Sequence, residues 1–520
     1  MATPSKKRAS SPKYISPSQT VLVGFESPFS QVLLSDNRWV LLSHQIPWDK
    51  IVSTYNRQMS KSGEGRPPLS GRIVIGAIII KHLKNLDDRE TILEIQENMY
   101  LQYFLGFDTF TTAPVFDPSL FVEIRKRMTD KVLNALNEEI VSLYLAPKPP
   151  QPPLPKTEKA SCHPSQDKEN LPTNDLQPPI TRWGRLITDA TACPQNIAYP
   201  TDLNLLSEAR EKTEFYIDML YHGLYDSELQ KPRTYRQNAR KDYLNLAKNR
   251  KKSAKAIRKG NGKQLRYLRR NLKNIHLLLD LYEENKQAFP LKAKIQRYLW
   301  IIHTLYDQQL EMHSTFSKSI ANRIVSLHQP HVRPIPRGKA TANTEFGAKI
   351  EVSLVNGYAF LDELSWDAFH EGNHLMYYVE NHKRRFGYYP EEVLADRIFA
   401  NRENRKMLKE LGIKLLAKPL GRPSKTAIKE YVRPGERNPI EGKFGQAKTA
   451  YGLGCIKARL KDTSQSWIAS IILVLNLVKL AGLNLYCLYF TKIRDYRNSI
   501  SWLITKNRYS LEHSKIYRLG

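Results

Sequence analysis

The hydrophobic pattern changes character several times along the chain, and each change marks a boundary. Residues 1–30 mix Ser, Pro and Lys without an apolar period, which predicts a disordered basic tail. From Arg66 the text turns apolar: Ile73, Ile75, Ala77, Ile78, Ile79, Ile80 and Leu83 predict a buried helix ending in the Asn85-Leu86-Asp87 turn. A second helix is expected over Asp88 to Tyr100 with Ile92, Leu93 and Ile95 inward, a third over Ser119 to Thr129, and a fourth to about Tyr144. With Arg125, Lys126, Arg127 and Lys131 read as outer residues, residues 60–145 suggest a small all-α domain of helix-turn-helix kind. Residues 146–180 hold ten prolines and few large apolar side chains, the composition of an extended linker.

Beyond the linker the pattern alternates between strand and helix. Arg185 to Ala192 reads as a strand, and Thr201-Asp202 caps a helix starting at Leu203. Leu265, Leu268, Leu272, Ile275 and Leu279 recur every three to four residues, predicting one buried stripe on half of a helical hairpin. Ile350, Val352 and Leu354 alternate, Asn356-Gly357 follows, and Tyr358 and Phe360 resume, which is a hairpin signal. Val393 to Asp396 and Ile413 to Ala417 read as strands around a helix over Asn401 to Leu411, and Asn438 opens a helix to about Tyr451. The apolar run Trp467 to Phe490 carries Asn476, Lys479 and Asn484, so a buried helix is expected there and no membrane span. The expectation is an α/β mixed sheet over residues 181–490. A helical insertion at about 203–330 interrupts it, the all-α N-terminal domain precedes it, and a basic extension over 491–520 follows.

Charge identifies the partner class. The 520 residues carry 80 Lys and Arg against 51 Asp and Glu, a net charge of +29 that calls for a polyanion, with nucleic acid the first expectation. Residues 231–275 alone hold 17 Lys and Arg against one acid, Asp242, far from the mixed-sign surface of a merely soluble helix, so a phosphate-tracking surface is expected. The four cysteines have no CxxC spacing, and the N-terminus has a basic stretch without an apolar run, so a cytoplasmic protein without disulfides or structural zinc is expected.

Phosphodiester chemistry on DNA uses hard cations held by convergent carboxylates. Asp189 follows the apolar pair Leu186-Ile187 and Asp396 follows Val393-Leu394-Ala395, so acids at the ends of adjacent buried strands would share one crevice. A strand-terminal Asp also commonly caps the next turn, as Asp202 is expected to do. Glu441 is the third candidate, although Asn438 at the N-cap and Pro439 at N1 would make it the reciprocal member of a capping box. Arg437 precedes that cap, and Lys448 returns to the face of Glu441 after two helical turns, placing acid and base together.

Arg437-x3-Glu441-x6-Lys448 resembles the signature around the third acid of the DDE transposases of bacterial insertion sequences. Asp189-Ala190-Thr191 resembles the first-acid strand of that family, and Ala395-Asp396 with Asn401-Arg402-Glu403-Asn404-Arg405 the second. Phe346-Gly347-Ala348-Lys349 and Ser365-Trp366-Asp367-Ala368 resemble its intervening hairpin, and Gln102-Tyr103-Phe104-Leu105-Gly106 its N-terminal domain. Pro434 and Ile398-Phe399 depart from its usual Tyr and Gly-Tyr. The resemblance implies an RNase H-like fold, with Asp189, Asp396 and Glu441 catalytic and holding two Mg²⁺ ions, with Mn²⁺ as a substitute. It implies an enzyme that binds terminal inverted repeats in double-stranded DNA, cleaves them and joins them to a target, in the cytoplasm on the nucleoid and as a homodimer in the DNA complex. Arg437 and Lys448, with Arg333, Arg337 and Lys339, are then expected to contact phosphates. A DNA-binding repressor without catalysis and a nuclease that cuts without joining are the alternatives.

Overall fold

The computed structural model of the protein describes residues 14, 16, 29, 33–57, 69–145, 182–224, 230–336, 344–417 and 435–482. Among the described residues the chain begins with α1 (Arg38–Gln45), α2 (Trp48–Arg57), α3 (Gly71–Leu83), α4 (Asp88–Glu97), α5 (Met99–Phe104), α6 (Leu120–Arg127) and α7 (Asp130–Leu145). The helix α3 is apolar on every side and is enclosed by the others, as its composition requires. Where one helix was expected over Asp88 to Tyr100, two form. Asn98 ends the first by capping the second, its side chain accepting from the Tyr100 and Leu101 amides.

Arg125 is a second correction: it is buried and not on the outer face. Its guanidinium donates twice to Asp88, at 2.9 and 2.8 Å, and lies over Trp467. Lys126 does stay outside, paired with Glu123 on its own helix. Within the predicted tail, Tyr14 and Ser16 donate to the Asp49 carboxylate and Phe29 is buried.

The sheet is built on β1 (Arg185–Pro194). On one side β1 pairs antiparallel with β3 (Thr344–Val355), and β3 pairs antiparallel with β2 (Arg333–Pro336) along its first part and β4 (Tyr358–Ser365) along the rest. On the other side β1 runs parallel to β5 (Glu392–Leu394), which runs parallel to β6 (Lys414–Leu416). The β3–β4 hairpin turns at Asn356 and Gly357, whose φ values of 49° and 78° are those a two-residue primed turn demands.

Between β1 and β2 lie α8 (Asp202–Gly223), α9 (Arg236–Ala247), α10 (Ala254–Glu284) and α11 (Ala293–Ser314). Thr201 caps α8 through the Asn204 amide, as expected. These helices bury a core of their own, with Leu265, Leu268, Leu272, Ile275 and Leu278 on the inner stripe and Leu279 packed, partly buried, against it. The mixed α/β body is completed by α12 (Leu375–Phe386), α13 (Arg402–Glu410), α14 (Asn438–Ala450) and α15 (Lys461–Gly482).

One apolar cluster runs through the sheet, α15 and the N-terminal helices. Asn476 of α15 closes it with hydrogen bonds to Asn137 of α7 and to both backbone groups of Ala359 on β4. The helix α15 is long and apolar enough to cross a membrane, and most of it is buried against these elements, as a core helix would be.

Candidate active site

Asp189 stands in the middle of β1, which continues to Pro194, and not at a strand end as expected. Asp396 lies just past β5 and caps a short 3-10 turn, its Oδ1 accepting from the Arg397 amide at 2.6 Å. Because Ile187 and Leu394 are register partners on parallel strands, the two acids lie the same number of residues beyond a shared rung. Parallel neighbours at equal offsets point to the same face. Arg437, at the N-cap of α14, bridges them: Nη2 is 3.0 Å from Asp189 and Nη1 is 3.1 Å from Asp396.

Burial pushes the Asp189 carboxyl up to about 6, against the pull of Arg437 and the Ala190 amide, and the nearby Glu371 and Asp396 charges push it further. Two carboxylates therefore share one cation in a partly desolvated cleft. Asp396 is more open than Asp189, with 55% of its side chain exposed against 19%. Arg437 Nε is buried without a hydrogen-bond partner, so the guanidinium is held by charge more than by a complete set of bonds.

Glu441 is exposed on α14, one turn beyond Arg437, and Lys448 follows two turns later on the same helix. The capping box expected for Glu441 does not form. The N-cap is Arg437, one residue earlier than expected, and no side-chain cap bond is made, so Glu441 has no capping role to explain it. Arg333 on β2 packs against Asp367 and the Pro330 carbonyl. By register it lies two strands over and five residues along from Asp189, about 20 Å away by strand geometry. Arg337 and Lys339 lie outside the described residues.

Among the described residues no group of three or more His, Cys, Asp or Glu side chains is close enough to hold a metal ion. Asp189 and Asp396 are nevertheless a suitable donor pair. They are hard oxygen ligands, and Arg437 already shows that a cation between them is favourable.

Two further residues at the site, Glu371 and Glu351, were not singled out from the sequence as site residues. Glu371, in a 3-10 turn, faces Asp189 electrostatically and is held by Lys349 at 2.7 Å. Glu351 on β3 is fully buried and accepts from Thr188 Oγ1 at 2.6 Å, and burial raises its carboxyl well above the usual range. The one sequence signal for Glu351 was an acid inside an alternating apolar strand.

Comparison with known proteins falls on both ends of this arrangement. Residues 393–478, which include Asp396, Arg437, Glu441 and Lys448, match the family described as Transposase DDE domain. Residues 27–127 match the family described as Transposase domain (DUF772). A Rhizobium meliloti protein described as uncharacterized protein ORF8 in the nfe locus is 29% identical over 173 residues, covering 33% of this chain and 68% of that one. No solved structure matches the chain significantly. Two transposase family models, matched in order on one chain, bear out the resemblance to the DDE transposases of insertion sequences.

Proposed function

We propose that the chain is a transposase that binds the terminal inverted repeats of its insertion sequence, cuts the DNA there and joins the freed ends to a target. The observation that carries this reading is the pairing of Asp189 and Asp396 across neighbouring parallel strands on one guanidinium, with Glu441 one turn along the same helix. The strand order β4-β3-β1-β5-β6, with β3 antiparallel to both neighbours, supports an RNase H-like fold.

Asp189, Asp396 and Glu441 would hold the divalent ions, two Mg²⁺ with Mn²⁺ as a substitute, which supply Lewis-acid stabilisation of the attacking and leaving oxygens. Arg437 balances the two aspartates, and with Lys448 it would meet phosphate near the scissile bond. On α10 the exposed Lys255, Lys259, Arg266, Arg270 and Lys273 recur at helical spacing within about 60° of one another. This stripe is about 27 Å long at helical rise and suits a DNA backbone. Replacing Lys259, Arg266 and Lys273 together by Ala lowers the slope of log affinity against log salt by about 3.

The test is cleavage and joining of labelled end-bearing DNA with Mg²⁺, comparing the native chain with Asp189→Ala, Asp396→Ala and Glu441→Ala while DNA binding is measured in parallel. Loss of both reactions with binding retained is expected. Binding without chemistry in the native chain would establish the repressor reading, and cutting without joining the nuclease reading.

A further inference from the structure

The helical insertion carries a second cluster of metal-ligating side chains, unrelated to the carboxylates. His276 comes from α10 and His303 from α11, and their Nε2 atoms are 3.2 Å apart with the ring planes within 6° of parallel. Ile275 and Leu278 on one helix and Ile302 and Leu305 on the other are buried in the insertion core. The two rings therefore stand at the rim of the seam, where His276 is exposed and His303 half-buried.

Two facing imidazole nitrogens share at most one hydrogen, so at least one offers a lone pair to the other. Two nitrogens on one tetrahedral ion, each at 2.0–2.1 Å, stand about 3.3–3.4 Å apart, close to the spacing already present here. A surface hydrogen bond between them competes with water and contributes little, whereas an ion would join two helices that are already in place.

We propose that His276 and His303 form a two-imidazole site for a divalent transition-metal ion, with the remaining ligand positions filled by water, that ties α10 to α11. Imidazole selects zinc, nickel or copper, and carboxylates select magnesium or manganese, so the two sites do not compete for one ion. The proposal stands whether or not the chain is a transposase.

The test is Zn²⁺ uptake by the full chain in equilibrium dialysis with excess Mg²⁺, comparing native protein with His276→Ala and His303→Ala. The native chain is expected to take up one more Zn²⁺ per chain than either variant. In the native protein alone, Zn²⁺ is expected to shield both rings from diethyl pyrocarbonate, read by peptide mass spectrometry. Equal uptake by the three proteins, or equal modification of both rings with and without Zn²⁺, would overturn it.

Discussion

Arg385 and Arg437 each hold two carboxylates, and the two bridges are built for opposite purposes. Arg385 on α12 reaches Glu138 on α7 at 2.7 Å and Asp362 on β4 at 2.6 Å, with its side chain 5% exposed and that of Asp362 fully buried. It also donates to Ser353 and lies over the Phe360 ring, and Arg384 adds a second clamp on Glu138. Arg437 joins Asp189 and Asp396 at longer distances, beside an exposed carboxylate and with one N–H unsatisfied. The first bridge joins α7, α12 and β4 around the buried Asp362. The second leaves Asp396 open to solvent beside the mostly buried Asp189. Each bridge keeps one buried polar atom without a partner, Asp362 Oδ2 in the first and Arg437 Nε in the second, so what separates them is the exposure of their carboxylates, 0% for Asp362 against 55% for Asp396.

Four outcomes break or sharpen that contrast. The largest expected effect is on chemistry: Asp189→Ala or Asp396→Ala lowers metal-dependent cleavage by about 10³-fold or more, roughly 4 kcal/mol, in a gel assay, with DNA affinity retained. Next is stability at the interior bridge. Arg385→Ala strands the buried Asp362 carboxylate, while Glu138 keeps Arg384, and costs about 3–5 kcal/mol in a urea unfolding curve. A smaller loss there would remove the distinction.

The third concerns pH. Burial lowers the His382 imidazole to about 4; the Tyr388 carbonyl opposes this and the Arg385 charge adds to it. A folded pKa below the unfolded 6.5 means that the unfolded chain takes up the proton first as pH falls, so stability is lost between about 6.5 and 4. His382→Gln is expected to flatten thermal melts over that window, by about 1–3 kcal/mol. The smallest effect is at the open bridge, where Arg437→Ala changes unfolding stability by no more than about 1 kcal/mol.

What was legible in the sequence was local. The β3–β4 hairpin followed from a period of two and Asn356-Gly357, and the apolar stripe of α10 followed from its spacing. The motif around Arg437, Glu441 and Lys448 shares one helix, so it too could be read directly, although the cap falls one residue earlier than expected. What failed depended on distant partners. A run of basic residues does not show that Arg125 turns inward to Asp88, 37 positions away. Asp189 was read as strand-terminal because the apolar pair before it is plainer than Ala192 and Cys193 after it, which are buried too. The helices α1 and α2 went unread because each is only eight to ten residues long, although Asn37 is a good cap and Trp48, Ile51, Val52 and Tyr55 recur at helical spacing. Glu371 joins the site from a 3-10 turn that leaves no periodic trace.

The measurement that bears most directly on this account is Mn²⁺ binding by electron paramagnetic resonance on the DNA-free chain, comparing native protein with Asp189→Asn, Asp396→Asn and Arg437→Ala. The account predicts binding in the native chain, its loss in both aspartate variants, and tighter binding once the Arg437 guanidinium no longer occupies the space between the carboxylates. Identical Mn²⁺ binding in all four proteins would contradict it.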